Sequence, residues 1–422
     1  MRVGICGLGT VGSGLFNLFT TNRDEIGRKT SDAPQLTQVG CRRDHPDCDL
    51  TAVDVTRDIF DVARNPDIDV LVELIGGTDT AKDLVLEAIN NGKHIVTANK
   101  ALIALHGDEV FAAAEKMGVS VRYEASIAGG IPIVKAIREG LAGNRIDWVA
   151  GMINGTTNFI LTEMSRPGSN RSFADVLKEA QDLGYAEADP TFDVEGIDAA
   201  HKLTILASIA FGIPLRFDAM YTEGISNITS DDILFAAELG YCIKHLGVAR
   251  RSGDDVELRV HPTLIANDQM LAQVNGVMNS VMVGSDAAGA TMYYGAGAGA
   301  GPTASAVMAD IIDTVRGTQV PNLGFKSLSE PNFLPITSVS SSYYLRLGVE
   351  DKAGVMANVS TVLSNHEVSI EALIQKDARV SDAQIVILTN EVQESKIDAA
   401  ISELESLDAV TSSVSRIRVA SL

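Results

Sequence analysis

An aspartate and a lysine stand four residues apart at the end of the segment 184–202, GYAEADPTFDVEGIDAAHK. Residues at positions i and i+4 of a helix share one face, so a helical conformation here places Asp198 beside Lys202. At about 100° per residue, three apolar residues fall on that same face: Ile205, Leu206 and Ile209. A charge pair inside an apolar stripe is costly to bury unless it is paired or used in chemistry.

Two interpretations of this pair follow from the pattern. In the first, Asp198 and Lys202 form a structural ion pair. In the second they form a proton-transfer site, because burial lowers the pKa of a lysine while a nearby carboxylate raises it. A lysine balanced in this way can exchange a proton near neutral pH. Both residues are therefore candidate catalytic residues.

The pattern GxGxxG at residues 7–12 follows a strand-like run and precedes a helical pattern. In that context the first glycine makes a tight turn, the second lets a pyrophosphate approach the backbone, and the third permits close helix–strand packing. The helix N-terminus then receives the negative charge. The predicted cofactor-binding residues of this turn are Gly7, Gly9, Thr10, Val11 and Gly12. The alternative is a glycine-rich turn without a ligand.

Two arginines, Arg42 and Arg43, follow the second strand-like run, 36–41. At this point an acidic residue selects NAD, whereas arginine accommodates the 2′-phosphate of NADP. Because two guanidinium groups can fork a phosphate, we expect NADP(H) to be preferred, with NAD(H) as the second cofactor. Alternatively, the arginines pair with Asp44 or Asp47 in a solvated turn, and both cofactors are tolerated.

Two further charged residues stand at the ends of apolar runs. Lys100 follows the strand-like run 94–98, and Glu124 precedes the turn Gly129-Gly130-Ile131-Pro132. Ligands meet an open α/β sheet at the carboxyl ends of its strands, so both residues are candidates for the site. The alternatives are a solvated loop lysine and a carboxylate that caps a helix.

The elements that position these residues follow from the hydrophobic pattern. Residues 1–130 alternate strand-like and helical runs, which predicts a doubly wound parallel sheet of the Rossmann type, completed by a helix at about 303–317. Residues 131–317 combine helices with β-like runs and predict an α+β catalytic and dimerisation domain with a largely antiparallel sheet. Within it, the Gly/Ala-rich stretch 294–302 allows the backbone to approach a ligand or another chain.

The C-terminal quarter has a different pattern. Residues 318–342 are rich in proline and serine and predict a partly packed linker. Residues 343–422 then give strand, helix, strand, strand, helix and strand, the βαββαβ order of a small two-layer sandwich.

Composition excludes some partners. The chain carries 55 acidic against 34 basic residues, a net charge of −21. Such a surface repels nucleic acid and anionic lipid, and no apolar run is long enough to cross a bilayer. Four scattered cysteines do not make a disulfide framework, so we expect a cytoplasmic protein.

Taken together, these features resemble homoserine dehydrogenase over essentially the whole chain. Six segments carry the resemblance: GLGTVGSG (7–14), TANKALIA (97–104), YEASIAGGIPI (123–133), GTTNFILT (155–162), GYAEADPTFDVEGIDAAHK (184–202) and GAGPTASAVMAD (299–310). No aspartate-kinase segment precedes them, so we expect the monofunctional form. The resemblance implies NAD(P)-linked interconversion of L-homoserine and L-aspartate 4-semialdehyde, in the biosynthesis of threonine, methionine and isoleucine.

The resemblance also implies roles for individual residues. Lys202 is the expected acid/base, Glu187 and Asp198 hold homoserine, with Glu187 on its ammonium group, and Lys100 lies between nicotinamide and substrate. Two residues are implied to lie against the cofactor: Gly301 and Thr303. A monovalent cation, usually sodium, is implied at Glu124 and the carbonyl groups of Ile127, Gly129 and Ile131.

Residues 343–422 resemble an ACT domain, which implies amino-acid binding and, in this family, feedback by threonine. A purely oligomerising module is the alternative. We expect a homodimer or homotetramer, because twofold assembly is commonest and an ACT sheet leaves an unpaired edge. A competing function is an amino-acid-sensing regulatory protein with an inactive dehydrogenase body. The retention of four residues argues against it: Lys100, Glu187, Asp198 and Lys202.

Overall fold

Two β-sheets organise the protein. The computed structural model describes residues 1–169, 171–376 and 383–421. The first part of the chain forms a six-stranded sheet, and the rest contributes to a twelve-stranded sheet. The predicted fold class is confirmed: a Rossmann-type parallel sheet, then an α+β region, then a βαββαβ region.

The first sheet is parallel throughout, with the strand order β3-β2-β1-β4-β5-β6. Its strands are β1 (Arg2–Cys6), β2 (Gln35–Gly40), β3 (Asp54–Thr56), β4 (Val70–Glu73), β5 (His94–Thr97) and β6 (Val121–Arg122). Its helices are α1 (Thr10–Thr21), α2 (Arg23–Lys29), α3 (Ile59–Arg64), α4 (Asp79–Asn90) and α5 (Lys100–Met117). The strand order reverses between β1 and β4, and ligands of open α/β sheets bind beyond the carboxyl ends of the strands at such a point.

Burial explains which strands the sequence predicts. Val70, Leu71 and Val72 of β4 are fully buried, because helices cover both faces of a parallel sheet. The strand β3 was not predicted; it has only three residues and lies at the edge of the sheet. Asp54 and Val55 are both exposed, so β3 carries no hydrophobic pattern.

The middle of the chain supplies the largely antiparallel half of the second sheet, in the order β12-β11-β7-β9-β10. Its strands are β7 (Ile146–Met152), β8 (Tyr221–Thr222), β9 (Tyr241–Ser252), β10 (Asp255–Ala266), β11 (Met278–Ser285), β12 (Gly289–Ala296) and β13 (Asn332–Phe333). Its helices are α6 (Ile133–Lys135), α7 (Gly155–Met164), α8 (Phe173–Asp182), α9 (Thr191–Val194), α10 (Ile197–Phe211), α11 (Ser230–Glu238) and α12 (Ala300–Val315). A π-helical turn, Ala136–Gly140, continues α6.

The central helix of this region is α10. The hydrophobic pattern predicts one helix over 194–211, but Gly196 has a φ of +85°, which separates α9 from α10. All residues of α10 are buried except Ile197 and Lys202, so the predicted apolar stripe extends around the whole helix. Apolar as α10 is, no helix in the described part of the chain is long and apolar enough to cross a membrane.

The C-terminal region has the predicted βαββαβ order. Its elements are β14 (Ser340–Val349), α13 (Val355–Asn365), β15 (Ile370–Lys376), β16 (Ala383–Thr389), β17 (Val392–Gln393), α14 (Glu394–Glu405) and β18 (Ser415–Val419). The four main strands are antiparallel in the order β18-β14-β16-β15, and the short β17 pairs with β14.

This small sheet is fused to the larger one. The strand β18 pairs in parallel with β10, through Thr263 with Arg418 and Leu264 with Val419. One edge of the C-terminal sheet is therefore covered by the same chain. The other edge is β15.

The Gly/Ala-rich stretch 294–302 packs closely against the rest of its own chain. A Cβ atom on Gly297 would lie 1.3 Å from Asn279 Oδ1, and one on Gly129 would lie 2.6 Å from the carbonyl oxygen of Gly297. The expected close approach was to a ligand or another chain. At these positions the glycines allow a close approach within the same chain: Gly297 to the Asn279 side chain, and Gly129 to the backbone of Gly297.

Residues 318–342, the predicted linker, pack in part against the rest of the chain, and the last three of them belong to β14. Leu323 is buried, and the buried Tyr123 hydroxyl donates a hydrogen bond to the carbonyl oxygen of Asn322. This segment carries the chain from the end of α12 to the start of β14.

Candidate active site

The aspartate and lysine predicted from their spacing meet a second lysine. Lys202 Nζ donates a hydrogen bond to Asp198 Oδ2 over 2.6 Å, and Lys100 Nζ lies 2.9 Å from Asp198 Oδ1. Lys100 begins α5 and Asp198 lies in the first turn of α10, and these two helices pack together. One buried carboxylate is thus held between two ammonium groups.

The residues that follow β7 complete this cluster. The carbonyl oxygen of Ile153 accepts a hydrogen bond from Lys202 Nζ over 2.6 Å. The side-chain amide of Asn154 donates to Asp198 Oδ2 over 2.8 Å and to Asp193 Oδ1 over 2.7 Å. A second carboxylate, Asp193, is thereby brought into the site.

Hydrogen bonds at the strand ends of the first sheet fix the start of α5. The buried Glu73 accepts a hydrogen bond from Thr97 Oγ1 over 2.6 Å, and Thr97 Oγ1 accepts one from the backbone N–H of Asn99 over 2.9 Å. The Asn99 side chain caps α5 by accepting from the N–H of Leu102 over 3.1 Å. Lys100 is therefore a rigidly placed residue at the first turn of a helix, and the alternative of a solvated loop lysine is excluded.

Burial and charge shift the pKa values of the cluster in different directions. Burial opposes ionisation of Asp198, but the charges of Lys202 and Lys100 and two hydrogen bonds hold its pKa well below the usual value. Burial lowers the pKa of Lys202, and Asp198 opposes this shift only in part. The pKa of Asp193 is raised, mainly by burial. An ionised Asp198 thus lies beside an ammonium group that loses its proton more readily than an ordinary lysine.

The cluster opens to solvent on the side of Lys100, whose side chain is 33% exposed, against 12% for Lys202. The ring of Phe192 lies at this opening, with its centroid 5.7 Å from Lys100 Nζ. Such an arrangement is a cation–π contact. A small molecule entering here would meet Lys100 before Lys202.

Glu187 lies in the loop between α8 and α9 and is exposed. Its carbonyl oxygen accepts a hydrogen bond from the Gln181 side chain over 3.0 Å. Within the described ranges, its carboxylate makes no ion pair or hydrogen bond. The structure therefore does not join Glu187 to the lysine–aspartate cluster by direct contact.

The glycine turn has the features that a dinucleotide requires. Gly7 has a φ of +102°, and a Cβ atom there would lie 2.6 Å from the carbonyl oxygen of Leu74. A Cβ atom on Gly12 would lie 2.1 Å from the carbonyl oxygen of Gly7. A Cβ atom on Gly9 would instead meet nothing within 4 Å. Two of the glycines are needed for packing, and the third leaves an open cradle.

The N-terminus of α1 faces this cradle. Thr10 and Val11 begin the helix, and among the described residues no side chain caps it. The first backbone N–H groups of a helix lack intrahelical partners and favour a phosphate. The residues present therefore fit the pyrophosphate of a nicotinamide dinucleotide.

Arg42 and Arg43 are exposed directly beyond β2. The nearby Asp44 is paired with Arg57, over 2.8 Å, and not with either of them. Across the described residues, neither Arg42 nor Arg43 forms an ion pair, so the alternative of a turn paired with Asp44 or Asp47 is not what the structure shows.

Gly301 and Thr303 lie in the first turn of α12, which packs against α1. A Cβ atom on Gly14 of α1 would lie 2.7 Å from the carbonyl oxygen of Ala300. Thr303 is buried, whereas Gly301 is exposed and has open space around it. Gly301 and Thr303 therefore lie on a helix that packs against α1, the helix that follows the glycine turn.

The Glu124 carboxylate is buried, and it accepts hydrogen bonds from the backbone N–H groups of Val134, over 2.9 Å, and Lys135, over 2.8 Å. Its own N–H donates to Asp310 Oδ2 over 2.8 Å. Burial and the charge of Asp310 raise the pKa of Glu124 to about 8, and burial raises the pKa of Asp310 to about 7. Glu124 therefore caps the short helix α6, which is the alternative role that the sequence suggests for it.

The chain next to Glu124 offers oxygen atoms to a cation. Ile127 and Gly129 are buried, and no donor among the described residues bonds to their carbonyl oxygens. Within the part of the chain that the structure describes, the carbonyl of Ile131 accepts only from the N–H of Ile133, over 2.8 Å. Buried carbonyl groups without donors are rare, and a hard monovalent cation is bound by such oxygens. The predicted ligands therefore fit a cation of this kind.

Asn154 and Asp193 were not among the predicted site residues. Asp193 stands within the segment 184–202, but nothing in its spacing separates it from the other acidic residues there. Asn154 follows an apolar run that ends at Ile153. The same signal, a polar residue at a strand end, indicated Lys100 and Glu124 and could have found it.

Comparisons with known proteins relate the whole chain to one enzyme family. Residues 132–312 match the family model for homoserine dehydrogenase, residues 7–124 the model for its NAD-binding domain, and residues 343–409 the ACT domain. A homoserine dehydrogenase of Pseudomonas aeruginosa is 58% identical, with 100% of this chain and 99% of the relative covered. One from Neisseria gonorrhoeae is 50% identical, with the same coverage.

A solved homoserine dehydrogenase from Thiobacillus denitrificans superposes with a TM-score of 0.93 at 50% identity, covering 100% of this chain and 98% of that one. Sequence, family models and three-dimensional structure thus agree on the same assignment. The chain belongs to the homoserine dehydrogenase family, enzymes that are NAD(P)-dependent oxidoreductases, and it carries a C-terminal ACT domain.

Proposed function

We propose that Lys202 is the acid/base of the reaction that interconverts L-homoserine and L-aspartate 4-semialdehyde. The observation that supports this role is the contact of Lys202 Nζ with Asp198 Oδ2 over 2.6 Å, in a cluster that also contains Lys100. Burial makes Lys202 a weaker base than an exposed lysine, and Asp198 keeps its ammonium form accessible. A lysine with this balance can both accept and return a proton.

When bound, the nicotinamide cofactor supplies the hydride acceptor for alcohol oxidation and the hydride donor for aldehyde reduction. Lys202 accepts the proton of the substrate hydroxyl in oxidation and gives a proton to the aldehyde oxygen in reduction. Asp198 orients Lys202 and contributes to the substrate site. Lys100, the more exposed of the two lysines, lies between the cofactor and the substrate.

Glu187 is proposed to hold the ammonium group of the substrate. Two observations support this role. The Glu187 carboxylate is exposed and pairs with no described residue, and Glu187 lies on the segment that also carries Asp193 and Asp198. Anchoring one end of a small amino acid leaves its reacting carbon with few orientations, which is the main requirement for positioning.

The first experiment follows NADPH absorbance with aspartate semialdehyde for the wild type and for Lys202→Ala. Loss of general acid–base catalysis lowers kcat by about 10²- to 10⁴-fold. Lys178→Ala is a suitable control, because Lys178 pairs with exposed Asp182 on α8 and with no other residue that the structure describes. Turnover of Lys202→Ala at the wild-type rate would remove Lys202 from this role, and absence of turnover in the wild type would favour a sensor with an inactive dehydrogenase body.

NADP(H) is proposed as the preferred cofactor, bound by Gly7, Gly9, Thr10, Val11 and Gly12 and at two further points, Gly301 and Thr303. Arg42 and Arg43 support the preference, since Asp44 is already paired with Arg57 and leaves both guanidinium groups for a 2′-phosphate. Arg42→Ala should raise the KM for NADPH about tenfold, as loss of one charged hydrogen bond does, and leave the KM for NADH nearly unchanged. Equal effects on both cofactors would contradict the preference.

A sodium ion is proposed at Glu124 and at the carbonyl oxygens of Ile127, Gly129 and Ile131. The oxygens of Ile127 and Gly129 support it, because they lie on buried residues and no described donor bonds to them. Thermal unfolding in sodium chloride and in tetramethylammonium chloride at equal ionic strength tests the proposal. We expect a higher Tm with sodium, since a ligand that binds only the native state stabilises it.

We further propose a function for each region of the chain. Residues 1–130, with the helix at about 303–317, bind the cofactor, and 131–317 hold the catalytic and dimerisation surfaces. Residues 318–342 are the linker, and 343–422 bind threonine as a feedback effector. Threonine titrated into the assay and into a calorimeter tests the last role.

A homodimer or homotetramer in the cytoplasm is proposed; the four free cysteines suit a reducing compartment.

A further inference from the structure

Asn154 is the junction between two carboxylates of the site. Its Nδ2 atom donates one hydrogen bond to Asp193 Oδ1, over 2.7 Å, and one to Asp198 Oδ2, over 2.8 Å. Its Oδ1 atom accepts the N–H of Thr157 over 2.8 Å, so the same side chain caps α7. Asn154 is 5% exposed, and every hydrogen-bonding atom of its side chain is in use.

Two carboxylates with a shared neighbour repel each other when both are ionised. Asp198 is compensated by Lys202 and Lys100, whereas the proximity of Asp198 works against ionisation of Asp193. A primary amide is a neutral group with two donors, so it can bind both carboxylates without removing charge from either lysine. A carboxyl group has at most one donor and cannot replace it.

We propose that Asn154 is a positioning residue, which fixes the Asp198 carboxylate against Lys202 and keeps Asp193 from competing for the proton that Lys202 transfers. This inference rests on the proposed role of Lys202. It assigns Asn154 no contact with substrate or cofactor; its effect on the reaction passes through Asp198 and Asp193.

The proton affinity of Lys202 depends on the charged groups that surround it. These are Asp198 on its own helix, Lys100 from α5 and Asp193 from α9. Asn154 contacts two of them directly. Any change that adds a negative charge at position 154 should therefore make Lys202 hold its proton more tightly.

The test is Asn154→Asp, a nearly isosteric change that keeps a good acceptor for the cap of α7 but removes one or both donors. We expect kcat for homoserine oxidation to fall at least about tenfold, as for supporting residues around other reactive centres. The rising limb of its pH profile should move to higher pH. Rates are normalised to the sites that bind NADPH, so that misfolded protein does not count.

Ser172→Ala is the matched control, because Ser172 caps the neighbouring helix α8 from an exposed position. It should lower Tm and leave the pH profile in place. Asn154→Asp with kcat within about twofold of wild type and an unmoved pH limb would overturn the inference and leave Asn154 as a helix cap. Lys202→Ala separates the two hypotheses: if it retains turnover, the proposed role of Lys202 fails; if it is inactive while Asn154→Asp is silent, only the positioning role fails.

Discussion

Two buried ion clusters in this chain have similar contact distances but different cations. At the contact between the ACT region and the larger sheet, Arg418 Nε donates to Glu394 Oε2 over 2.9 Å, and both residues are 1% exposed. Arg346 Nε donates to the buried Asp232 over 2.7 Å. In the active site the corresponding distances are 2.6 Å for Lys202 and 2.9 Å for Lys100 with Asp198.

The protonation chemistry of the two clusters differs. Burial works against the charge of Arg418, but Glu394 and Glu223 raise its pKa above the usual value, so this guanidinium never gives up a proton. In the active site, burial lowers the pKa of Lys202. The Asp198 carboxylate, which Lys202 shares with Lys100, opposes this shift, and Asp193 adds to that opposition.

The comparison separates two uses of buried charge. A carboxylate matched by arginine holds two regions of the chain in one arrangement and takes no part in proton transfer. A carboxylate shared by two lysines leaves one of them able to release a proton. The type of cation, rather than the depth of burial or the distance, decides which use is available.

The largest effect is expected when the active-site lysine is replaced by arginine. Lys202→Arg keeps a positive charge beside Asp198 but cannot release its proton, so kcat should fall by about 10²- to 10⁴-fold in both directions. NADPH absorbance measures the rate, and circular dichroism verifies the fold. A variant that keeps more than about a tenth of wild-type turnover would show that proton transfer does not depend on the cation at this position.

At the ACT contact the expected loss is in stability. Arg418→Met leaves Glu394 buried with two remaining partners, the Arg416 guanidinium over 3.0 Å and the Tyr343 hydroxyl over 2.7 Å. The free energy of unfolding should fall by about 3 kcal/mol, the lower end for a broken buried pair, as measured by urea denaturation. Turnover per folded site should change little. A strong loss of turnover with unchanged stability would assign the arginine cluster to catalysis and remove the contrast.

The pH dependence of the two reaction directions should have opposite signs. Oxidation needs Lys202 without its proton, so its rate rises with pH through the lowered pKa of Lys202. Reduction needs the ammonium form and falls with pH through the same value. Each limb changes the rate by up to about tenfold per pH unit, as one ionisation does. Initial rates in both directions test this, and limbs of the same sign would contradict a single acid/base.

The smallest effect is expected where the same kind of ion pair is exposed. Lys178 and Asp182 lie 3.2 Å apart on α8, with 75% and 67% of their side chains exposed. Lys178→Ala should lower the free energy of unfolding by about 0.3–0.5 kcal/mol. A loss as large as that of Arg418→Met would show that burial does not set the strength of these pairs.

Much of the fold follows from local patterns. The glycine turn at residues 7–12, one apolar face of α10 and the βαββαβ order of the last region were predicted, because each depends on a pattern within a short stretch of chain. The short edge strand β3 was missed because it is mostly exposed. The break at Gly196 was missed because a left-handed glycine leaves no signal in an otherwise helical pattern.

The contacts of the active site also divide into those that the local sequence predicts and those that it does not. Helical geometry alone places Asp198 beside Lys202, since four residues advance the chain by about one turn. The contact of Lys100 with Asp198 requires α5 to pack on α10, and the two hydrogen bonds of Asn154 require the end of β7 to meet both α9 and α10.

Local patterns are enough to predict the nucleotide turn, the Asp198–Lys202 pair and the order of elements in each region. Two other features emerge only when the chain is folded: a second lysine and an asparagine share the same carboxylate, and β18 pairs with β10 to join two sheets into one. The difference lies in the range of the contacts. Contacts within one helical turn are set by backbone geometry, whereas contacts between distant residues depend on how the whole core packs.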